Sequence, residues 1–517
     1  MRLFLGLDSS TQSLKALIID IDSGKVTVSA SVNFSTELPK YGCPNGVLPN
    51  KDPLVKHSDP LMWLEALDLV FSKLKAADAP LDKVLALSGS GQQHGSVYLN
   101  DKFDDIVSEL APAKPLAEQI RPALSRKTSP IWMDSSTSAE CAEIAKSVGV
   151  KKLQELTGSP AIERFTGPQI RKFWKTEPEN YEKTDCIHLV SSFMASVLAG
   201  ASAPIDYGDG AGMNLLNLKT LVWDFKICEA TAPGLVSKLP TAVPSASLAG
   251  KLSPYFKKYG FKPGIPVLAW SGDNPCSLIG VGAGDPGTAV VSLGTSDTFF
   301  AAMTSSRTDP QGYGHVFGNP TGGFMSLICF KNGSLAREKV KDECGLDWEQ
   351  FEKALSESKS GNNGNMMLPY FVPETTPLVL KEGARYSGTA DFCKGKVPAS
   401  SKVRAVVESQ MLSMKLHSKW IGEDFKCIRV TGGASKSPGI CRILADVFQA
   451  KVEKISVADS ATLGAAIRAA HFISAGRMSS YYEKFSAASE VISPDPGTAK
   501  TYSELLAKFA EFEKTDK

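Results

Sequence analysis

Apolar positions along this chain fall into two alternating patterns. Short apolar runs end in clusters of glycine, serine, threonine and aspartate, while longer stretches repeat their apolar residues at helical spacing. Leu3-Phe4-Leu5 leads into a polar turn, Asp8-Ser9-Ser10-Thr11-Gln12-Ser13, and residues 14–21 form a second apolar run closed by Asp22-Ser23-Gly24. This predicts strand, turn, strand. Residues 60–77 carry a helical period, and residues 84–88 predict a buried strand running into Gly89-Ser90-Gly91-Gln92-Gln93-His94-Gly95. Residues 266–270 predict another strand, followed by Ser271-Gly272-Asp273-Asn274-Pro275. Towards the end, a strand at 428–430, a loop at 432–435, a helix at 440–449, a strand at 452–457 and a helix at 462–474 follow one another. Such alternation predicts an α/β fold.

The pattern also echoes itself. LGLDSSTQSLKALII around the first turn resembles AVVSLGTSDTFFAAM further on. Setting Ser10-Thr11 against Gly294-Thr295 gives one offset, 294 − 10 = 295 − 11 = 284. Two hydroxyl-rich hairpins, one near the start of each half, predict two related lobes. With 517 residues, the chain exceeds the roughly 250–300 that one core can organise. The Pro/Gly-containing stretch KYGFKPG places the boundary at 264/265, giving lobes 1–264 and 265–517.

Composition narrows the function classes. Lys plus Arg is 57 and Asp plus Glu is 55, a net charge of +2, so no bulk field draws nucleic acid or an anionic membrane. An apolar share of 43% with 22% charged residues excludes wholesale disorder. The ten cysteines form no C-x-x-C pair and are scattered, which argues for reduced thiols rather than a zinc ribbon or a disulfide framework. The first residues lack a secretory h-region, so a cytoplasmic protein is expected. The uncharged stretch 186–205 contains His188 and four serines and predicts a buried helix, not a span.

Several turns carry candidate chemistry. At Asp8–Ser13 the backbone N–H groups and hydroxyls, Thr11 among them, can cradle phosphate oxygens, and Asp8 at a strand end can hold Mg²⁺ through water. The turn Ser292-Leu293-Gly294-Thr295-Ser296-Asp297 has the same make-up. Either alone reads as an ordinary polar hairpin turn; their repetition favours phosphate. Asp273 follows a buried strand, where a carboxylate faces a crevice. An alcohol attacking phosphorus must lose a proton, and one placed Asp can take it, contributing about 10²–10⁴-fold. The plain alternative is an N-cap for a helix beginning at Pro275. Thr431-Gly432-Gly433-Ala434-Ser435 lets a base or phosphate approach the backbone, or simply joins strand to helix. The amides and imidazole of Gln92-Gln93-His94 suit a hydroxyl-rich ligand. Gly282–Gly287 matches G-x-G-x-x-G in letters, but it precedes a strand and contains Pro286, so the dinucleotide reading fails. No phosphate-loop G-x-x-x-x-G-K-[ST], H-E-x-x-H helix or protein-kinase motif set is present.

Asp8-Ser9-Ser10-Thr11, Gly272-Asp273-Asn274, Ser292-Leu293-Gly294-Thr295-Ser296 and Thr431-Gly432-Gly433-Ala434-Ser435 follow the order found in the FGGY carbohydrate kinases. The resemblance extends over essentially the whole chain and takes in Trp132-Met133-Asp134-Ser135-Ser136 and residues 206–224. It implies the actin/hexokinase/heat-shock ATPase superfold, two ribonuclease-H-like lobes flanking a nucleotide and sugar cleft. Gly91-Gln92-Gln93-His94-Gly95, Glu163-Arg164-Phe165-Thr166-Gly167 and Phe330-Lys331-Asn332-Gly333-Ser334 are similar to segments of the eukaryotic xylulose kinases. Ser10 stands where many members have Gly, and Ala434 replaces a third Gly of the commoner loop.

The resemblance implies transfer of the ATP γ-phosphoryl group to D-xylulose, with Mg²⁺ as cofactor, in a monomer or homodimer. It implies His94, Arg164, Asp273, Asn274 and Gln93 on the sugar, with Asp273 as base. Trp348, Gly432, Gly433, Lys436 and Ser437, with Thr11, Gly294, Thr295 and Ser296, would face the nucleotide. Two alternatives stay open: a kinase of the same family for ribulose, glycerol or another polyol, and a sugar-sensing ATPase that transfers nothing to sugar.

Overall fold

The computed structural model describes residues 1–515. The chain divides into two compact units. The first contains residues 1–284, 316–324 and 458–485; the second contains 285–315, 325–457 and 486–515. No single cut, at 264/265 or elsewhere, separates them. The physical reason lies in three glycines. The helix Ser460–Ser474 packs on the helix Asp273–Gly280 inside the first unit. A Cβ on Gly280 would stand 1.9 Å from the Ser460 carbonyl oxygen, and one on Gly464 would stand 1.8 Å from that of Cys276. Gly6 meets the same helix, its missing Cβ only 2.1 Å from the Thr462 carbonyl oxygen. Helix and strand therefore touch backbone to backbone, an approach open only to glycine.

The first unit is built on a mixed sheet in the order Leu248–Lys251, Pro266–Leu268, Val84–Gly91, Leu3–Ser9, Ser13–Asp20, Lys25–Asn33, with Ser271–Gly272 also beside Val84–Gly91. Leu3–Ser9 and Ser13–Asp20 form an antiparallel hairpin, and Leu3–Ser9 runs parallel to Val84–Gly91. Against this sheet lies the helix Pro60–Ala76, started by Asp59, which accepts the Leu61 N–H at 2.9 Å. Its Trp63, Leu67, Val70 and Phe71 are buried in the core.

The sheet of the second unit contains Phe324–Phe330, Asp297–Met303, Thr288–Leu293, Cys427–Thr431, Lys451–Ile455 and Ala488–Ile492, in that order. Thr288–Leu293 pairs antiparallel with Asp297–Met303 and parallel with Cys427–Thr431. Each unit thus has a hairpin whose first strand runs parallel to a later strand. Adding 284 to the first hairpin's strands, 3–9 and 13–20, gives 287–293 and 297–304, within one residue of the second hairpin.

Two expectations are corrected. Residues 186–205 are not one helix: Cys186–Leu189 is a strand, Val190–Ala199 a buried helix and Ile205–Asp206 a further short strand. Antiparallel pairing with Ser96–Leu99 explains the split, and the His188 ring is held between the Ser192 and Ser202 hydroxyls, both at 3.0 Å. The helix expected from Pro275 begins earlier, at Asp273, with Gly272 as N-cap and no side-chain cap bond. Asp273 therefore caps nothing, and its carboxylate is available for other work. Among the described residues, no helix is long and apolar enough to cross a membrane.

Candidate active site

In the first unit, strand ends and helix starts bring the expected sugar residues together. Val84–Gly91 ends at Gly91, and the chain turns through Gln92, Gln93 and His94. Asn274, on the first turn of its helix, donates from Nδ2 to Gln93 Oε1 at 2.8 Å. Gln93 in turn donates to the Gly208 carbonyl at 3.5 Å. Gly272 is tightly fitted here, since a Cβ would meet Gln93 Cγ at 2.4 Å.

His94 has φ +71°, a left-handed conformation rare outside glycine. Three contacts hold it there. Thr166 Oγ1 donates to its carbonyl at 2.9 Å, its Nδ1 meets the Gly212 carbonyl at 2.7 Å, and its ring stacks on Phe165 at 4.4 Å. A carbonyl can only accept, so Nδ1 carries the hydrogen. Burial, helped by the nearby Arg164 charge, pushes the imidazole down to about 3. The ring is neutral, and Nε2 keeps its lone pair. Arg164 lies with its guanidinium carbon 5.9 Å from the Phe165 ring centroid.

Asp273 is half-buried. Its Oδ1 accepts the backbone N–H of Asn274 at 2.9 Å and the Asn274 amide at 3.1 Å. Burial raises its pKa to about 6 against these hydrogen bonds. Such a carboxylate is ionised at neutral pH yet basic enough to take a proton.

Asp8 ends the first strand. It is buried and accepts the Ser90 hydroxyl at 2.7 Å. Burial pushes it up to about 7; the Asp273 charge adds to this and Lys15 opposes it. Lys15 is itself paired with Asp459. The Asp273 charge raises Asp8 and, among the described residues, neither carboxylate has an ion-pair partner; such a pair is a donor set suited to a divalent cation, and Mg²⁺ commonly keeps its waters and takes only one or two carboxylates. Thr11, at the turn, accepts from Trp132 Nε1 at 2.8 Å and donates to Gln92 at 3.4 Å.

A polar layer under this site was not singled out residue by residue from the sequence. Asp206 accepts the Asp209 N–H at 2.8 Å and the Ser245 hydroxyl, and Asp209 accepts the Ser191 hydroxyl. The segment DYGDGAGMN that contains both aspartates also supplies the carbonyls of Gly208 and Gly212. Its density of aspartate and glycine was the available signal.

The second unit contains a cavity of about 770 Å³ lined by Gly294, Thr295, Trp348, Gly433, Lys436 and Ser437 among others. Ser296 and Gly432 adjoin it without lining it. Gly432 has φ +89°, and a Cβ there would stand 2.5 Å from the Leu293 carbonyl oxygen; its neighbour Gly433 faces open space. The turn before the cavity is fixed by Asp297, which forms a buried two-pronged pair with Arg337 at 2.8 and 2.9 Å. Trp348 is half-exposed on the wall, with Phe351 against its edge at 5.4 Å. Glu352 accepts the Ser437 hydroxyl and the Gly439 N–H, the latter at 2.6 Å. Its carboxylate thus already occupies the start of the helix Pro438–Phe448. Glu352 lies one helical turn after Trp348 on the same helix, a spacing that sequence alone displayed.

The N-terminal domain of the FGGY family of carbohydrate kinases matches residues 3–280, and its C-terminal domain matches residues 289–473. The chain belongs to this family and is a carbohydrate kinase, of a family that uses ATP as phosphate donor. It is 42% identical to a xylulose kinase of Rattus norvegicus, over 99% of this chain and 96% of the relative. It is also 42% identical to xylulose kinase 2 of Arabidopsis thaliana, over 91% of this chain and 87% of that one. Among solved structures, a xylulose kinase from Rhodospirillum rubrum aligns with TM-score 0.84 at 20% identity, covering 99% of each chain. The Plasmodium falciparum glycerol kinase with ADP aligns at 0.78 with 18% identity, covering 99% of this chain and 98% of the other. The fold is that of the FGGY sugar kinases and the actin/hexokinase ATPase superfold.

Proposed function

We propose that the protein phosphorylates D-xylulose with ATP, giving D-xylulose 5-phosphate and ADP. The reading rests on one arrangement: the half-buried Asp273, pushed up to about 6, beside Asn274 and the Gln93–His94 loop. The full-length similarity to xylulose kinases supports the choice of sugar.

In this reading His94 Nε2 accepts from one sugar hydroxyl, while Asn274, Gln93 and Arg164 hold others. Asp273 takes the proton of the terminal hydroxyl as its oxygen forms a bond to the γ-phosphorus and the bond to the ADP oxygen breaks. The adenine side of ATP lies in the second unit's cavity against Trp348 and Gly433, with Gly294, Thr295 and Ser437 nearby. Ser296 and Gly432 shape that loop pair, and Thr11 faces phosphate from the first hairpin. Asp8 would hold Mg²⁺, which when bound neutralises charge on the phosphoryl oxygens. The protein works in the cytoplasm as a monomer or homodimer.

The test is ADP release by the purified full chain over a panel of D-xylulose, D-ribulose, glycerol and gluconate. The reading expects kcat/KM for D-xylulose to lead. A lead for another sugar would overturn the substrate, and ATP hydrolysis without phosphosugar would overturn the transfer.

A further inference from the structure

Arg468 is buried on the helix Ser460–Ser474, inside the first unit, and no carboxylate pairs with it among the described residues. Its guanidinium is spent on main-chain carbonyls instead. Nη2 donates to the carbonyls of Ser245 and Ala269, both at 2.8 Å. Nη1 lies 3.4 Å from the Gly89 carbonyl and 3.4 Å from Cys276 Sγ.

Each of these partners lies a few residues from a sugar-site group. Gly89 is on the strand that runs into Gln93 and His94. Ala269 is followed by the short strand that delivers Asp273. Cys276 sits one helical turn beyond Asp273 on the same helix. Ser245 donates from its side chain to Asp206, which caps the segment that offers Gly208 to Gln93 and Gly212 to His94.

We infer that Arg468 is a positioning residue for phosphoryl transfer, one guanidinium fixing the sugar loop, the Asp273 helix and the Asp206–Gly212 segment in mutual register. This rests on the sugar-site reading above. Burying a cation without a counter-ion is costly, and an apolar side chain of similar volume would serve stability alone. What an apolar side chain lacks is a planar fork with several donors, able to reach carbonyls from separate segments at once. The helix behind the fork cannot slide to compensate, because Gly464 and Gly280 already hold it at backbone contact.

The experiment compares full-length Arg468→Lys and Arg468→Met with the wild type. Sugar KM, ATP KM and kcat are measured, with Tm and quenching of Trp fluorescence by ADP as controls. Positioning predicts sugar KM raised and kcat lowered, each by about tenfold, with ATP KM and ADP quenching unchanged. Lys, which keeps the charge and some donors, should recover part of the loss seen in Met. If Met does not fold, Lys carries the comparison by itself. Wild-type sugar KM and kcat in a folded variant would overturn the inference, as would parallel losses for sugar and ADP. A wild type that phosphorylates no sugar would sink the sugar-site reading itself.

Discussion

Asn274 donates its side-chain amide to Gln93 at 2.8 Å, joining two segments 181 residues apart in sequence. This bond couples the loop that presents His94 to the helix that presents Asp273. Replacing Gln93 by Leu keeps most of the volume but leaves one of the two Asn274 amide N–H groups without its acceptor, the other still donating to Asp273. An unpaired polar group of this kind costs about 1–3 kcal/mol. Sugar KM should rise about tenfold while ATP KM stays put; an unchanged sugar KM would show that the pair does not organise the site.

Asp273→Asn removes the proposed base and preserves the shape. Turnover should fall about 10²–10⁴-fold with nucleotide binding intact, and activity within about tenfold of wild type would exclude Asp273 as base. The wild-type enzyme should also lose kcat/KM as pH drops through about 6, because the protonated carboxyl cannot accept a proton. His94 should add no second limb near neutrality, since its ring is already held neutral down to about 3.

Asp8 carries a stability consequence of opposite sense to an ordinary paired carboxylate. Its folded pKa, about 7, lies above the unfolded value of about 3.9. Between those values the folded state binds more protons, so its contribution to stability falls as pH rises from 4 to 7 and is flat above. Asp8→Asn should remove that slope. At pH 8 the variant should be more stable than wild type by on the order of 4 kcal/mol, a gap that closes near pH 4. Urea melts at several pH values, without Mg²⁺, would decide. A variant less stable at pH 8 would contradict the burial cost assigned to this carboxylate.

In the second unit, Trp348→Ala should raise ATP KM several-fold, since a stacked aromatic contributes about 0.5–1.5 kcal/mol, with kcat and sugar KM little changed. Equal ATP KM in variant and wild type would remove Trp348 from the nucleotide wall. Arg337→Met tests the scaffold of the same cavity. It strands the buried Asp297 carboxylate, and breaking such a pair costs about 3–5 kcal/mol, visible as a large fall in Tm.

Much of this was written in the chain. The two hairpins, their hydroxyl-rich turns and the strands entering Gln93 and Asp273 follow from apolar runs punctuated by Gly, Ser, Thr and Asp, a local signal that needs no partner. The 284-residue echo was legible because the strand bounds of the two hairpins agree to within one residue under that offset. Local signals misled where a partner decides. The plain alternative for Asp273, a cap before Pro275, fails because the helix already starts at Asp273 and its carboxylate folds back on the Asn274 N–H. Residues 186–205 read as one apolar helix, yet cross-strand pairing with Ser96–Leu99 makes the first four a strand.

The sequence by itself determined most of the elements and the family, because these depend on side-chain type and short spacing. Tertiary structure alone decided that the helix Ser460–Ser474 returns to the first unit and that Arg468 reaches Gly89, Ser245 and Ala269 there. It alone oriented His94 through Gly212 and raised Asp8 and Asp273. Those outcomes depend on desolvation and on carbonyls hundreds of residues away, quantities that no local pattern encodes.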